Sequence, residues 1–264
     1  MKRLWEDDRE PYGERKGDLE MIHPVSRRGL VKLGALTLLA SAVPSLVRRE
    51  PVWAQTPPEV CNPGAPSNPA EALAALIAGN QRWASGTQVH PGEDAMRRAC
   101  LGNPNNKQTP WASILACSDS RCAPELFFDQ GVGDLFVARV AGNTEKGPLL
   151  STLLYGTDVL LTPLLLVVGH TLCGAVEAAV NSFPFAHKLA FVNIIFPAVR
   201  QARMIVKKAG GDPKDPAQVI PVATQQNVIL TVKRLRNQFR PGPGLAIAGA
   251  VYDLSTQLVT ILTQ

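Results

Sequence analysis

The sequence has no apolar run long enough to cross a bilayer. The stretch Leu33–Val43 holds about 11 residues, where a spanning helix needs about 20. It has no block of like charges either. Of 27 Lys and Arg and 22 Asp and Glu, ten and eight fall in the first 54 residues, which leaves a net of +3 on the remainder. That excess is too mild and too scattered for a nucleic-acid surface, so no nucleic-acid partner is expected. No Cys-x-x-Cys pair occurs, so the spacing of a thiol redox motif is missing. The five cysteines, Cys61, Cys100, Cys117, Cys122 and Cys173, are an odd number. An odd count argues against a pure disulfide framework and for a subset that ligates metal. No internal repeat is present. What is there is an ordinary globular composition, 45% hydrophobic and 19% charged over 264 residues. A domain of about 200 residues can bury one good core.

Polar residues 1–25 precede Ser26-Arg27-Arg28-Gly29-Leu30-Val31-Lys32 and the short apolar run. A basic segment, a short apolar segment and a small-residue site at Val52-Trp53-Ala54 read as an export signal cleaved before Gln55. The paired arginines resemble a twin-arginine signal, with Leu30 where such signals favour Phe. The competing reading is a cytosolic amphipathic helix with a chance Arg-Arg pair. The expected organisation is therefore an export signal over 1–54, a Pro-rich arm over 55–69 and a globular domain over 70–264. The expected location is periplasmic or otherwise exported, with no stable membrane anchor once the signal is removed.

Pro69 and Glu71 open a helix whose Leu73, Leu76 and Ile77 share a face, and Gly79-Asn80 can end it. A polar loop then runs to Thr109. From Trp111 strands and helices alternate. Strands are expected at Ala112–Cys117, Leu135–Arg139, Leu164–Gly169, Leu245–Val251 and Leu258–Leu262. Helices are expected over Leu149–Leu161, Gly174–Ser182, Phe191–Lys208 (kinked or divided at Pro197) and Gln225–Phe239, in a stretch that begins at Pro216. This order predicts an α/β fold with an open, mostly parallel sheet whose ligands collect at the carboxyl ends of the strands.

Reactive side chains sit at two such ends. Ala116-Cys117-Ser118-Asp119-Ser120-Arg121 follows one apolar run, and Gly169-His170-Thr171-Leu172-Cys173-Gly174 closes another. Cys117, His170 and Cys173 offer two thiolates and one imidazole, the donor set of a catalytic zinc with an open position. Asp119 is either a fourth ligand or stands aside for water. His170 and Cys173 are three apart at the mouth of a helix, so both can face one ion, and the helix N-terminus favours thiolate. Taken singly, each residue reads as a packed thiol or a satisfied loop histidine. Taken jointly, they read as one metal site.

With these motifs in view the chain resembles a β-class carbonic anhydrase over roughly Leu73–Leu262. CSDSR at 117–121 and GHTLCGA at 169–175 carry the resemblance. GNQRW at 79–83, GDLFVARVAGN at 133–143, QNVILTVKRL at 226–235 and GAVYDL at 249–254 support it. The resemblance implies a mostly parallel sheet with an antiparallel edge strand, flanked by helices, in a homodimer or a higher assembly of dimers. It implies one zinc ion per subunit, held by Cys117, His170 and Cys173. The implied reaction is reversible hydration of carbon dioxide to bicarbonate and a proton through zinc-bound hydroxide. Asp119 and Arg121 match the catalytic dyad, in which the aspartate orients the nucleophile or swings onto the metal. Gln108 stands where the plant-type branch has a glutamine that crosses from the partner subunit to bind substrate oxygen. Phe136 and Tyr155 match the apolar walls for carbon dioxide, and Gly174 offers a backbone N–H to substrate. By the resemblance to twin-arginine signals, the chain is exported folded and acquires its zinc beforehand.

Some positions depart from the family. Val140 replaces a usual Asn, Cys122 a common Val and Gln257 a common turn Gly. Ile114 stands where the bicarbonate-regulated branch has Trp, which argues against that branch's non-catalytic site although Arg139 and Tyr252 occupy two of its other positions. His90 and His187 are candidate proton shuttles, more simply read as solvated loop residues. A hydrolase of carbon disulfide or carbonyl sulfide with the same zinc chemistry, a closed structural zinc site and a thiol oxidoreductase are the competing functions. Cys61 and Cys100 are left as a candidate pair.

Overall fold

A computed structural model of the chain describes residues 61–181, 188–239 and 244–263. The export signal, residues 55–60 of the Pro-rich arm and His187 lie outside the described residues. No helix among the described residues is long and apolar enough to cross a membrane.

Helix α1 spans Pro69–Ser85. The Asn68 side chain caps it by accepting from the N–H groups of Ala70 and Glu71, and Gly86 ends it at φ 72°. The expected stop at Gly79-Asn80 is wrong. Gly79 is glycine because a Cβ there would stand 1.8 Å from Phe128 O. Asn80 is a tether: its Nδ2 donates to Phe127 O and Gln257 O, and its Oδ1 accepts from Val259 N. Both are tertiary demands that look like a helix stop in a linear sequence. The polar loop after α1 contains a further helix, α2 (Ala95–Leu101), capped by Asp94. Its buried side chains are Arg97 and Cys100, so no apolar stripe announces it.

Arg97 pairs with Asp134 and donates to the carbonyls of Cys61 and Val132. A disulfide joins Cys100 to Cys61 with the two Cα atoms 5.6 Å apart, so the end of the arm is stapled onto α2. The same staple meets the loop after α2, where Asn106 Nδ2 donates to Cys100 O.

Five strands form one sheet: β1 (Ala112–Ala116), β2 (Leu135–Arg139), β3 (Leu164–His170), β4 (Ala246–Tyr252) and β5 (Val259–Thr263). Their order is β2-β1-β3-β4-β5, all parallel except β5, which runs antiparallel to β4 at the edge. Strands β1 and β3 are buried along their whole length, as expected for parallel strands covered on both faces. Side chains alternate between two cores. Ile114, Leu166, Val168 and Ala250 face α1 and the short helix α3 (Pro124–Phe127), while Leu115, Leu165, Val167 and Ile247 face the opposite side.

That opposite side is covered by helices α4 (Pro148–Leu154) and α7 (Pro216–Phe239). Helices α5 (Gly174–Asn181) and α6 (Ala190–Lys208) pack with α7 in a third cluster that also holds Cys117 and Cys173. α6 continues as one helix across Pro197, and α7 across Pro221, so the expected division at Pro197 does not occur. The helix expected to end at Leu161 is α only to Leu154 and then opens into a π turn over Tyr155–Val159. Gly156 in that turn lies against β1 and β2, where a Cβ would stand 2.4 Å from Ser113 Oγ. In this strand order the chain leaves β1 and β3 in opposite directions along the sheet, so a crevice opens between their carboxyl ends.

Candidate metal centre

The crevice is lined by the residues at and just beyond the ends of those two strands. Cys117 comes directly after β1, and His170 is the last residue of β3. Cys173 stands just before α5, and its carbonyl accepts from Glu177 N at the first turn. Between His170 and Cys173 Leu172 turns the chain at φ 56° with its side chain exposed. The ligand atoms of Cys117, His170 and Cys173 lie within 4.8 Å of one another, and all three residues are buried. Among the described residues they form the one such group of three.

Three observations test whether these residues fit zinc. The two sulfurs are 3.9 Å apart. Two thiolates at about 2.3 Å from a tetrahedral ion stand roughly 3.8 Å apart. The His170 Nδ1 lies 2.9 Å from Thr171 O, so this nitrogen donates and Nε2 is left as the ligating atom. That Nε2 is buried and has no hydrogen-bond partner in the protein. The electrostatics agree. The Cys173 thiol, as hydrogen-bond donor, pulls Cys117 down to about 4, with His170 and the Gly142 N–H adding to it against the cost of burial. The charge on Cys117 and burial push Cys173 up. Burial opposes charge on His170, but the Cys117 and Cys122 sulfurs outweigh it and lift the imidazole to about 10. The charge on the sulfurs is thus balanced by a proton on the imidazole, and a metal at Nε2 would take that proton's place. The residues fit a zinc ion.

Asp119 borders the group, with Oδ2 3.9 Å from His170 Nε2. Arg121 grips it with Nε to Oδ1 at 2.9 Å, Nη2 to Oδ2 at 2.7 Å and its backbone N–H to Oδ1 at 3.0 Å. These charge-assisted bonds hold the carboxyl well below the usual range, although partial burial works the other way. Arg121 Nη2 also donates to Leu172 O, which ties the first loop to the second.

The remaining expected site residues lie in two places. Gly174 opens α5 beside Cys173, with open space where a Cβ would go. Phe136 pairs with Ser113 across β2 and β1, four residues before Cys117, or about 13 Å along the strand. Tyr155 packs near it, ring centroids 6.0 Å apart. Gln108 is exposed and precedes β1, at the strand's other end. One chain therefore brings together Cys117, Asp119, Arg121, His170, Cys173 and Gly174, and leaves Gln108, Phe136 and Tyr155 away from them. His90 is exposed, 3.5 Å from Glu93. Gln257, where a turn Gly is common, does adopt φ 62°.

Two supports are not evident from the sequence. Arg139 donates from Nε to Cys117 O and from Nη2 to Asp119 O, so it clamps the first loop from β2. Gly142, in a short turn over Ala141–Asn143, aims its N–H at Cys117 Sγ from 3.3 Å. Their signal lies in the GDLFVARVAGN segment, where Arg139 ends the apolar strand and Gly142 stands three residues beyond it.

The carbonic anhydrase family model matches residues 112–259. A carbonic anhydrase of Mycolicibacterium smegmatis is 39% identical over 145 residues, which cover 54% of this chain and 69% of that protein. Carbonic anhydrase 2 of Mycobacterium tuberculosis is 33% identical over 193 residues, 71% of this chain and 90% of that protein. Among solved structures, the β-carbonic anhydrase CcaA superposes with a TM-score of 0.53 at 23% identity, over 73% of this chain and 92% of that one. The Coccomyxa β-carbonic anhydrase in complex with acetazolamide gives 0.50 at 26%, over 72% and 86%. A matching family model across the sheet, a relative spanned almost end to end and a shared fold converge on one assignment: the chain belongs to the β-class carbonic anhydrases, enzymes that interconvert carbon dioxide and bicarbonate.

Proposed function

We propose that Cys117, His170 and Cys173 bind one zinc ion per subunit and that the chain hydrates carbon dioxide there. The observation that carries this reading is the partnerless His170 Nε2 facing two sulfurs at tetrahedral spacing. Zinc bound at this point supplies Lewis acidity, which brings the ionisation of a water toward neutral pH. The Asp119 carboxylate accepts a hydrogen bond from the attacking water and directs its lone pair. Arg121 keeps that carboxylate ionised and in place, and decides whether it orients the nucleophile or turns onto the metal. Substrate oxygen is met by the Gly174 backbone N–H.

The rest of the pocket comes from a second copy of the chain. Gln108, Phe136 and Tyr155 are too far along β1 to serve their own Cys117, and Tyr155, Val159 and Leu161 expose apolar surface beside them. A homodimer, alone or within a larger assembly, puts one subunit's Phe136 and Tyr155 against the other's zinc as apolar walls, with Gln108 bound to substrate oxygen.

The chain is exported to the periplasm by the twin-arginine route, a reading supported by the Arg27-Arg28 segment and by the Cys61–Cys100 disulfide, a bond that persists in oxidising compartments. It folds and takes up zinc before export, while Cys117 and Cys173 are still reduced.

The deciding experiment measures zinc content beside stopped-flow hydration of carbon dioxide across pH, with carbonyl sulfide and carbon disulfide as competing substrates. One zinc per subunit with hydration that rises with pH supports the proposal. Stoichiometric zinc with no hydration at any pH means a structural site, and faster turnover of a sulfur substrate moves the enzyme to that reaction.

A further inference from the structure

Three residues on one face of α7 grip the turn that touches the Cys117 sulfur. Asn227, Thr231 and Arg234 stand at i, i+4 and i+7 and so share a face. Asn227 Nδ2 donates to Gly142 O at 2.8 Å. Thr231 and Arg234 bond the fully buried carboxylate of Glu145, three residues further on. Between these anchors Gly142 adopts φ 69°, and a Cβ there would stand 2.6 Å from Ile195 Cδ1. A side chain here would be strained and would press on Ile195, so the turn favours glycine, which has the weakest preference of its own for any backbone angle. Its peptide is held on two sides, by the Asn143 N–H donated to Val140 O within the turn and by the Asn227 amide on the Gly142 carbonyl, and the Asn227 amide is the one side-chain contact of the two. That amide is buried, and its Oδ1 has no partner, a cost an apolar residue would avoid.

We infer that Asn227 is a positioning residue for the metal centre. By holding the Gly142 carbonyl it keeps the Gly142 N–H on the Cys117 sulfur and so sets how strongly that thiolate binds and donates to the metal. The inference rests on the reading that Cys117, His170 and Cys173 bind zinc. A hydrogen bond to a thiolate stabilises its charge and fixes its orientation, and groups that orient ligands typically change metal affinity 10- to 100-fold.

The test compares Asn227→Ala, the nearly isosteric Asn227→Leu and Asn80→Ala with the wild-type protein. Asn80 is an equally buried asparagine that ties α1 to β5 and touches nothing at the centre. Zinc affinity is read by chelator competition, and the thiolate-to-metal charge-transfer band is read after cobalt loading, both well below the melting temperature. In the Asn227 variants zinc binds about tenfold more weakly and the band moves to lower energy, because a thiolate without its N–H donor gives up an electron more easily. Asn80→Ala lowers the melting temperature and leaves affinity and band unchanged. Wild-type values in either Asn227 variant, or equal changes in Asn80→Ala, overturn the inference. A wild-type protein with no zinc and no thiolate band overturns the zinc reading beneath it, a result distinct from both.

Discussion

Arg121 holds both carboxylate oxygens of Asp119, and the same Oδ2 that accepts from Nη2 at 2.7 Å lies 3.9 Å from His170 Nε2. The carboxylate is thus aimed at the metal group while another cation keeps hold of it. Asp119→Asn keeps the shape and removes the charge. It should retain zinc and lose hydration activity by at least about 100-fold, the scale of a positioned acid–base group. Near-normal turnover would sink the dyad assignment.

The sign of the Asp119 shift fixes a second expectation. Its pKa in the folded chain lies below the ordinary carboxylate range. Such a group stabilises the fold above the ordinary value and loses that contribution only as the pH falls through the depressed one. Asp119 is therefore ionised throughout the neutral range, and a change in hydration rate between about pH 6 and 9 has another source. In Arg121→Gln the carboxyl moves back toward its ordinary value, so an acid limb should appear at higher pH than in the wild type. Matching acid limbs in the two proteins would contradict this.

Cys173 is both a buried member of the third core cluster and a member of the candidate metal group. Cys173→Ser should lose zinc and stability together, because a metal that binds only the folded chain stabilises it by mass action. Metal content by atomic absorption and a thermal melt check this. A fully loaded, stable variant means the ligand is wrongly assigned.

The Cys61–Cys100 disulfide closes a loop of sequence separation 39. The chain-entropy account gives about 4 kcal/mol of stability for a loop of this size. Cys61→Ser, or reduction by a dithiol, should shift the urea midpoint to match. An unchanged midpoint would mean that Arg97 and Asp134 hold the arm without help from the disulfide.

Gly79→Ala sets two effects against each other. Alanine in a helix interior is favoured over glycine by about 1 kcal/mol. Here the new Cβ would sit 1.8 Å from Phe128 O, a backbone atom that cannot swing aside. Overpacking of this kind costs about 1–3 kcal/mol and often more, so the variant should melt lower than wild type. A higher melting temperature would show that α1 can lift off α3.

The difference between Gly79 and β3 explains what was legible in the sequence. Leu164–His170 is an unbroken apolar run, and nothing but a strand buried on both faces accommodates it well. The same holds for β1, and the metal-capable residues stand out because they end those two runs. Gly79-Asn80 misleads because glycine and asparagine stop helices for local reasons, and here they serve distant partners, Phe128 and Val259. α2 is hidden because it buries an arginine and a cysteine. The supports at Gly142 and Asn227 are hidden because 85 residues separate them and their bond involves a backbone carbonyl, which no side-chain pattern records.

The distance along β1 between the level of Phe136 and Cys117 has a genetic consequence. If each site is built from both subunits, defects at the two ends of β1 are recessive to each other in the right combination. A hybrid dimer of one Asp119→Asn subunit and one Gln108→Ala subunit carries both lesions at one site and neither at the other. Two inactive parents, unfolded and refolded together as an equal mixture, should then recover about one quarter of the wild-type sites, since about half of the dimers are hybrids. If Gln108 served its own chain's zinc, every site would remain broken and mixing would restore nothing.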